Sequence, residues 1–159
     1  MDYSKVIDLD PDYTNAYNNR GYIKYLFDDY NGAIEDYTMV IKLDSIDSYA
    51  YYYRGLSKNM KDDYSGSIDD LTKAIELNAN DGDFYYSRGY VKSELEDHKS
   101  AILDYNRAIE LIPEHANAYY ERGLSKLKIQ QKQEACADFK KAYSFGLVEA
   151  LQTIKEFCE

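Results

Sequence analysis

An all-α stack of repeated helix pairs is the fold this sequence predicts, on three observations. Arg-Gly recurs every 34 residues, at Arg20-Gly21, Arg54-Gly55, Arg88-Gly89 and Arg122-Gly123. Each has a tyrosine before it (Tyr17, Tyr51, Tyr85, Tyr119), a lysine after it (Lys24, Lys58, Lys92, Lys126) and an aspartate further on (Asp36, Asp70, Asp104, Asp138). A period of that length is a helix–turn–helix unit. The second observation is spacing: Ala33, Ile34, Tyr37, Val40, Ile41 and Leu43 form a wide apolar stripe with helical periodicity. The third is negative. Asn31-Gly32 and Asp81-Gly82 resemble hairpin turns, but their flanks do not alternate as strands do.

In order along the chain, residues 1–11 match the end of a unit, because Asp2, Tyr3 and Val6 align with Asp104, Tyr105 and Ala108. They read as a half unit of one helix, marginal alone in water, in a chain cut from a longer array with Met1 incidental. Four full units follow at about 14–47, 48–81, 82–115 and 116–149, within one domain spanning 1–159. Each opens with a helix carrying Arg-Gly, about 14–27 in the first, followed by a second helix at about 30–43. Asp29, Asp63 and Asp97 stand where they cap those second helices, and Pro11 and Pro113 close two units. Glycine at the four Arg-Gly sites, with Ala33, Ser67, Ala101 and Ala135 opposite, makes room for close helix approach. One helix pair cannot bury both its faces, so stability comes from stacking. Gly146 ends the last unit, and 148–158 form an amphipathic capping helix with Val148, Leu151, Ile154 and Phe157 on its apolar side.

With 29 acidic against 19 basic side chains, the formal charge is −10. Such a surface repels a nucleic-acid backbone and favours neutral or basic partners. No window is long and apolar enough for a membrane span, so no membrane partner is expected.

These features resemble the tetratricopeptide repeat family. The resemblance rests on the aromatic four residues before each Gly, the Gly itself, the small residue twelve further on, the aromatic or aliphatic Tyr37, Leu71, Tyr105 and Phe139, and the unit-closing prolines. It covers essentially the whole chain. It implies a right-handed superhelical solenoid of antiparallel helix pairs, with the first helices lining a concave groove, and an adaptor that binds peptides or protein surfaces. The chain departs from the pattern by placing Arg before the Gly and Lys three residues after it. Arg and Lys share a helix face. With the repeated Asp they read as an Arg–Asp ladder and a packed lysine stem, paired within a unit (Arg20 with Asp36) or between units (Asp2 with Arg20). The functional alternative is a basic stripe gripping acidic ligands.

The resemblance places the groove at Asn15, Asn18, Tyr22 and Tyr25 in the first unit, and at Tyr49, Tyr52 and Asn59 in the second. It continues at Asp83, Tyr86 and Tyr90 in the third and Asn117 and Tyr120 in the fourth. Tyrosine supplies rigid contact area and asparagine amides bond an extended backbone, although a tyrosine also fills seams between helices. Family members that clamp the carboxylate of chaperone tails use Lys and Asn where Asn18 and Tyr22 stand here, and Lys and Arg where Asp83 and Ser87 stand, so that clamp is not expected.

No catalytic constellation, cofactor motif or metal-ligand spacing is visible, and His98 and His115 read as surface residues near helix junctions. Cys136 and Cys158 lie nearly equidistant from Gly146. They read first as two buried thiols, and otherwise as a disulfide pinning the cap. The compartment is cytoplasmic by default, secreted or periplasmic if they are bonded. The expected function is a non-catalytic module binding an extended peptide in a Tyr/Asn-lined groove. The alternatives are an assembly scaffold, including self-association through residues 1–11, and the regulatory part of a larger enzyme.

Overall fold

The computed structural model describes residues 2–158, so Met1, expected to be incidental, lies outside the described residues. Among them are ten helices and no strand: α1 (Tyr3–Leu9), α2 (Thr14–Leu26), α3 (Tyr30–Leu43), α4 (Ser48–Asn59), α5 (Tyr64–Leu77), α6 (Gly82–Glu94), α7 (His98–Leu111), α8 (Ala116–Lys128), α9 (Lys132–Ser144) and α10 (Ala150–Phe157). They divide into two compact units, one ending at Ala79 and the next beginning at Asn80.

In the first unit α2 pairs with α3, and α4 with α5. The pairing is antiparallel: Lys24 meets the Gly32 carbonyl while Gly21, earlier in α2, faces Asp36 and Tyr37, later in α3. The turn between them is short for a local reason. Asp28 N–H bonds Tyr25 O at 3.2 Å and Asp29 N–H bonds Lys24 O at 2.9 Å, the bond pair of a Schellman terminator. Asp28 takes the left-handed conformation (φ 61°) that this terminator requires. Asp29 at once caps α3, its Oδ1 accepting from Gly32 N–H at 3.0 Å. The same device ends α4 at Asp62 and Asp63, with Asp63 accepting from Gly66 N–H at 3.0 Å. The core holds Tyr17, Ala33, Tyr37, Val40 and Ala50, with Ile7 of α1 packed against it.

In the second unit α6 pairs with α7 and α8 with α9, and α10 lies on α9. Glu96 and Gln130 are the left-handed turn residues here, and Asp97 caps α7 through Ser100 N–H at 3.2 Å. Ala135, Phe139 and Ile154 form a core under α10, joined by Leu124 and Leu127. Gly146 (φ 95°) ends α9, with Leu147 N–H on Ala142 O and Gly146 N–H on Tyr143 O, both at 3.0 Å. The closing helix begins at Ala150, because residues 147–149 complete this turn.

Cys136 and Cys158 are joined in a disulfide with Cα atoms 5.7 Å apart, which corrects the first expectation of two buried thiols. The reversal at Gly146 lays α10 back along α9, so positions on either side of the turn face each other. The bond closes 22 residues of chain. Its reduction is expected to add two hydrogens to the intact mass and to lower stability by roughly 3 kcal/mol. Identical melting curves with and without reductant would contradict this.

All four Arg–Asp pairs form within a helix pair. Arg20 Nε and Nη2 donate to Asp36 at 2.9 and 2.7 Å, Arg54 to Asp70 at 2.8 and 2.7 Å, Arg88 to Asp104 at 2.9 and 2.7 Å, and Arg122 to Asp138 at 2.8 and 2.6 Å. The lysine does more than pack its stem. Lys24, Lys58, Lys92 and Lys126 place Nζ 3.0, 2.7, 2.7 and 2.7 Å from the same carboxylates. Each guanidinium also lies over the tyrosine three residues earlier, 5.2 to 5.9 Å from its centroid. These cations are committed to an internal anion, so the basic-stripe alternative is set aside.

Candidate functional site

The first helices of the first unit, α2 and α4, carry seven of the twelve expected groove residues. The structure gathers three of them, Asn18, Tyr22 and Tyr49, around a cavity of about 350 Å³. Asn19, Tyr37, Asp47 and Tyr53 complete its wall, and sequence reasoning did not place them there. Asp47 was within reach of such reasoning, since it is the N-cap of α4 and its Oδ1 accepts from Ala50 N–H at 3.0 Å. Its other oxygen accepts from Asn18 Nδ2 at 3.0 Å. Tyr37 was expected only as part of the apolar stripe of α3. It is 1% exposed, lies against Gly21 and stacks on Tyr53 with centroids 5.6 Å apart. Its hydroxyl has no hydrogen-bond partner. Burial pushes the Tyr37 phenol far above the usual range, so it stays neutral.

The remaining candidates of this unit do not line the cavity. Asn15 is exposed, and its carbonyl accepts from Asn19 Nδ2 at 2.8 Å. Tyr25 packs edge-on to Tyr30 and Tyr53, at 5.8 and 6.0 Å, and Tyr52 packs edge-on to Tyr53 at 5.1 Å. Asn59 sits at the last turn of α4 with its Oδ1 buried. Tyr53 thus joins the aromatic group, touching Tyr22 as well at 5.3 Å.

In the second unit, the Tyr86 ring lies tilted against His115, with centroids 4.7 Å apart. His115 caps α8, its Nδ1 accepting from Ala118 N–H at 3.2 Å, which leaves the proton on Nε2, 3.3 Å from Asp83 Oδ1. Its side chain is 12% exposed, so His115 is a largely covered helix cap rather than the surface residue expected. Tyr120 is a seam residue: its ring meets Phe139 at 5.6 Å and its hydroxyl pairs with Thr153 of α10 at 3.0 Å. Asn117 is exposed and Tyr90 half-buried. Burial, with Glu94 adding to it, raises the Glu121 carboxyl above the ordinary range. Among the described residues no group of three or more His, Cys, Asp or Glu is placed to hold a metal ion, and no helix is long and apolar enough to cross a membrane.

Antiparallel helix pairs on a 34-residue period, with first helices presenting Tyr and Asn, define a helical repeat protein of the kind that binds other proteins. The chain belongs to the tetratricopeptide repeat family. The model of the tetratricopeptide repeat matches residues 82–115 and 116–145. The crystal structure of MamA is 32% identical, with a TM-score of 0.86 over 93% of this chain and 86% of that one. A second MamA crystal structure is 30% identical, with a TM-score of 0.82 over 98% and 82%. YrrB, described as a tetratricopeptide repeat protein with an unusual peptide-binding site, shares the fold at 21% identity and a TM-score of 0.56 over 98% of both chains. No curated protein sequence matches significantly.

Proposed function

We propose that this protein is a non-catalytic module whose first-helix surface holds an extended peptide segment of a protein partner. The observation that carries the reading is the cavity of the first unit, where three residues expected in the groove meet, with three further aromatic or amide side chains and one carboxylate. Tyrosine faces give contact area at small entropic cost, and amides bond a peptide backbone. The acidic balance of the chain, −10, favours a neutral or basic segment. The disulfide supports an oxidising compartment, secreted or periplasmic. A fold relative with a peptide-binding site adds support at the level of the fold alone.

Random linear peptides displayed for selection against the intact chain test this. Enriched peptides are expected to lose at least about tenfold in affinity in Tyr49→Ala, the scale of losing one buried aromatic contact, with helicity unchanged. Selection that enriches nothing, or binding indifferent to Tyr22→Ala and Tyr49→Ala alike, overturns it. A second reading, pairing of chains through residues 1–11, is favoured by α1, which buries no residue and leaves Leu9 89% exposed. It would appear as a concentration-dependent mass by light scattering in the same samples.

A further inference from the structure

The first-unit cavity has a chemistry more specific than peptide contact. Its aromatic wall is formed by Tyr22, Tyr49 and Tyr53, with Tyr22 and Tyr53 packed edge to face at 5.3 Å. One acidic side chain lines it, that of Asp47. Asp47 accepts one bond at each oxygen, from Ala50 N–H and Asn18 Nδ2, and a carboxylate oxygen has capacity for a second. No lysine or arginine is among the residues that line the cavity, so its carboxylate has no cation beside it there. Independently, the Tyr37 hydroxyl on the same wall is buried without any hydrogen-bond partner. Leaving a buried hydroxyl unbonded costs stability, whereas a phenylalanine would fill the same space without that cost. A hydroxyl oxygen with room to accept, a carboxylate with no cation beside it in the cavity wall and a set of tyrosine rings share one ligand chemistry, that of a cation with N–H donors.

We infer that the cavity is a socket for one lysine or arginine side chain of the partner segment. This rests on the groove reading above and adds the identity of the anchoring residue. The cation sits against the rings of Tyr22, Tyr49 and Tyr53, ion-paired to Asp47, and donates to the Tyr37 hydroxyl and to the amide oxygen of Asn19, whose nitrogen is already engaged with Asn15 O. Tyr22, the more exposed neighbour of the phenol, is the side chain whose rotation admits the donor to Tyr37. A volume of about 350 Å³ exceeds what one basic side chain fills, leaving space for its backbone and a bridging water. A phosphorylated or acidic segment would meet Asp47 as a like charge.

The test uses peptides selected against the intact chain, each resynthesised with its basic residue as lysine, arginine, norleucine and glutamate. The expected result is an enriched basic position, with norleucine and glutamate each weakening binding at least about tenfold, the worth of one charged hydrogen bond. Asp47→Asn keeps a good cap for α4 and is expected to lose a similar factor. Tyr37→Phe separates a binding role from a structural one: it is expected to weaken the lysine peptide severalfold while melting no lower than the parent chain. Selected peptides with no basic position, or with affinity unchanged in Asp47→Asn yet abolished in Tyr49→Ala, overturn this inference and leave the groove reading standing. A Tyr37→Phe protein that binds lysine peptides equally well overturns the role of the hydroxyl, and selection that enriches nothing overturns both readings.

Discussion

Asp70→Ala is expected to destabilise the first unit by about 3 kcal/mol, a large share of the roughly 5–15 kcal/mol that holds a domain together. Asp70 is 5% exposed and neutralises two cations at once, Arg54 through two bonds of 2.8 and 2.7 Å and Lys58 at 2.7 Å. Removing the carboxylate strands both cations in a site they were drawn into by that charge. The figure is set at the low end for a broken buried pair because Arg54 and Lys58 keep 17% and 20% of their side chains exposed. Urea unfolding of the variant reads the loss directly. Simultaneous replacement of all three members, as Arg54→Met, Lys58→Met and Asp70→Leu, is expected to recover most of it, since no charge then remains to be solvated. A single Asp70→Ala variant as stable as the parent would show that water already does the work assigned to the carboxylate.

Phe139→Ala is the second large effect, at about 3–5 kcal/mol. Phe139 is fully buried and fills the space that Gly123 leaves in α8: a Cβ on Gly123 would stand 2.6 Å from Phe139 Cε1. Its ring also supports Tyr120, and Ile154 of α10 belongs to the same core, so truncation opens a cavity beneath the capping helix. The two positions are coupled by shape. Gly123→Ala alone is expected to cost about 1–3 kcal/mol by overpacking, and almost nothing in a Phe139→Ala background, where the clash is gone. A double-mutant cycle measures that coupling, and strictly additive losses would refute the fit between glycine and ring.

Much of this was legible because it depends on local chemistry. Period and stripe placed α2 and α3 within a residue or so of where they lie, and Asp29, Asp63 and Asp97 cap the helices they were expected to cap. The terminators before those caps were not legible. Their left-handed residues are Asp28, Asp62 and Glu96, with Gln130 doing the same before α9, where local preference alone favours glycine. Packing of each pair requires the reversal and overrides that preference. The candidate site was half visible for a related reason. Asn18, Tyr22 and Tyr49 are first-helix positions that the family resemblance implied, whereas Tyr37 comes from α3 and Asp47 from the loop before α4.

The sequence by itself determined that the chain is helical, that helices come in pairs on a 34-residue period, which positions are small, and that each of the four Arg-Gly arginines has an aspartate to match it. Tertiary structure decided which aspartate. Periodicity says what face a side chain occupies, yet both neighbouring second helices present a polar residue to that face. The arginine fork closes on the carboxylate of its own pair, while Nη1 reaches back to a neutral acceptor: Ser4 from Arg20, Thr38 from Arg54 and Asn106 from Arg122. The disulfide and the cavity were decided in the same way. Each depends on how far one helix is rotated against the next, and that rotation is set by the fit of side chains such as Phe139 into Gly123, a distance no spacing along the chain contains.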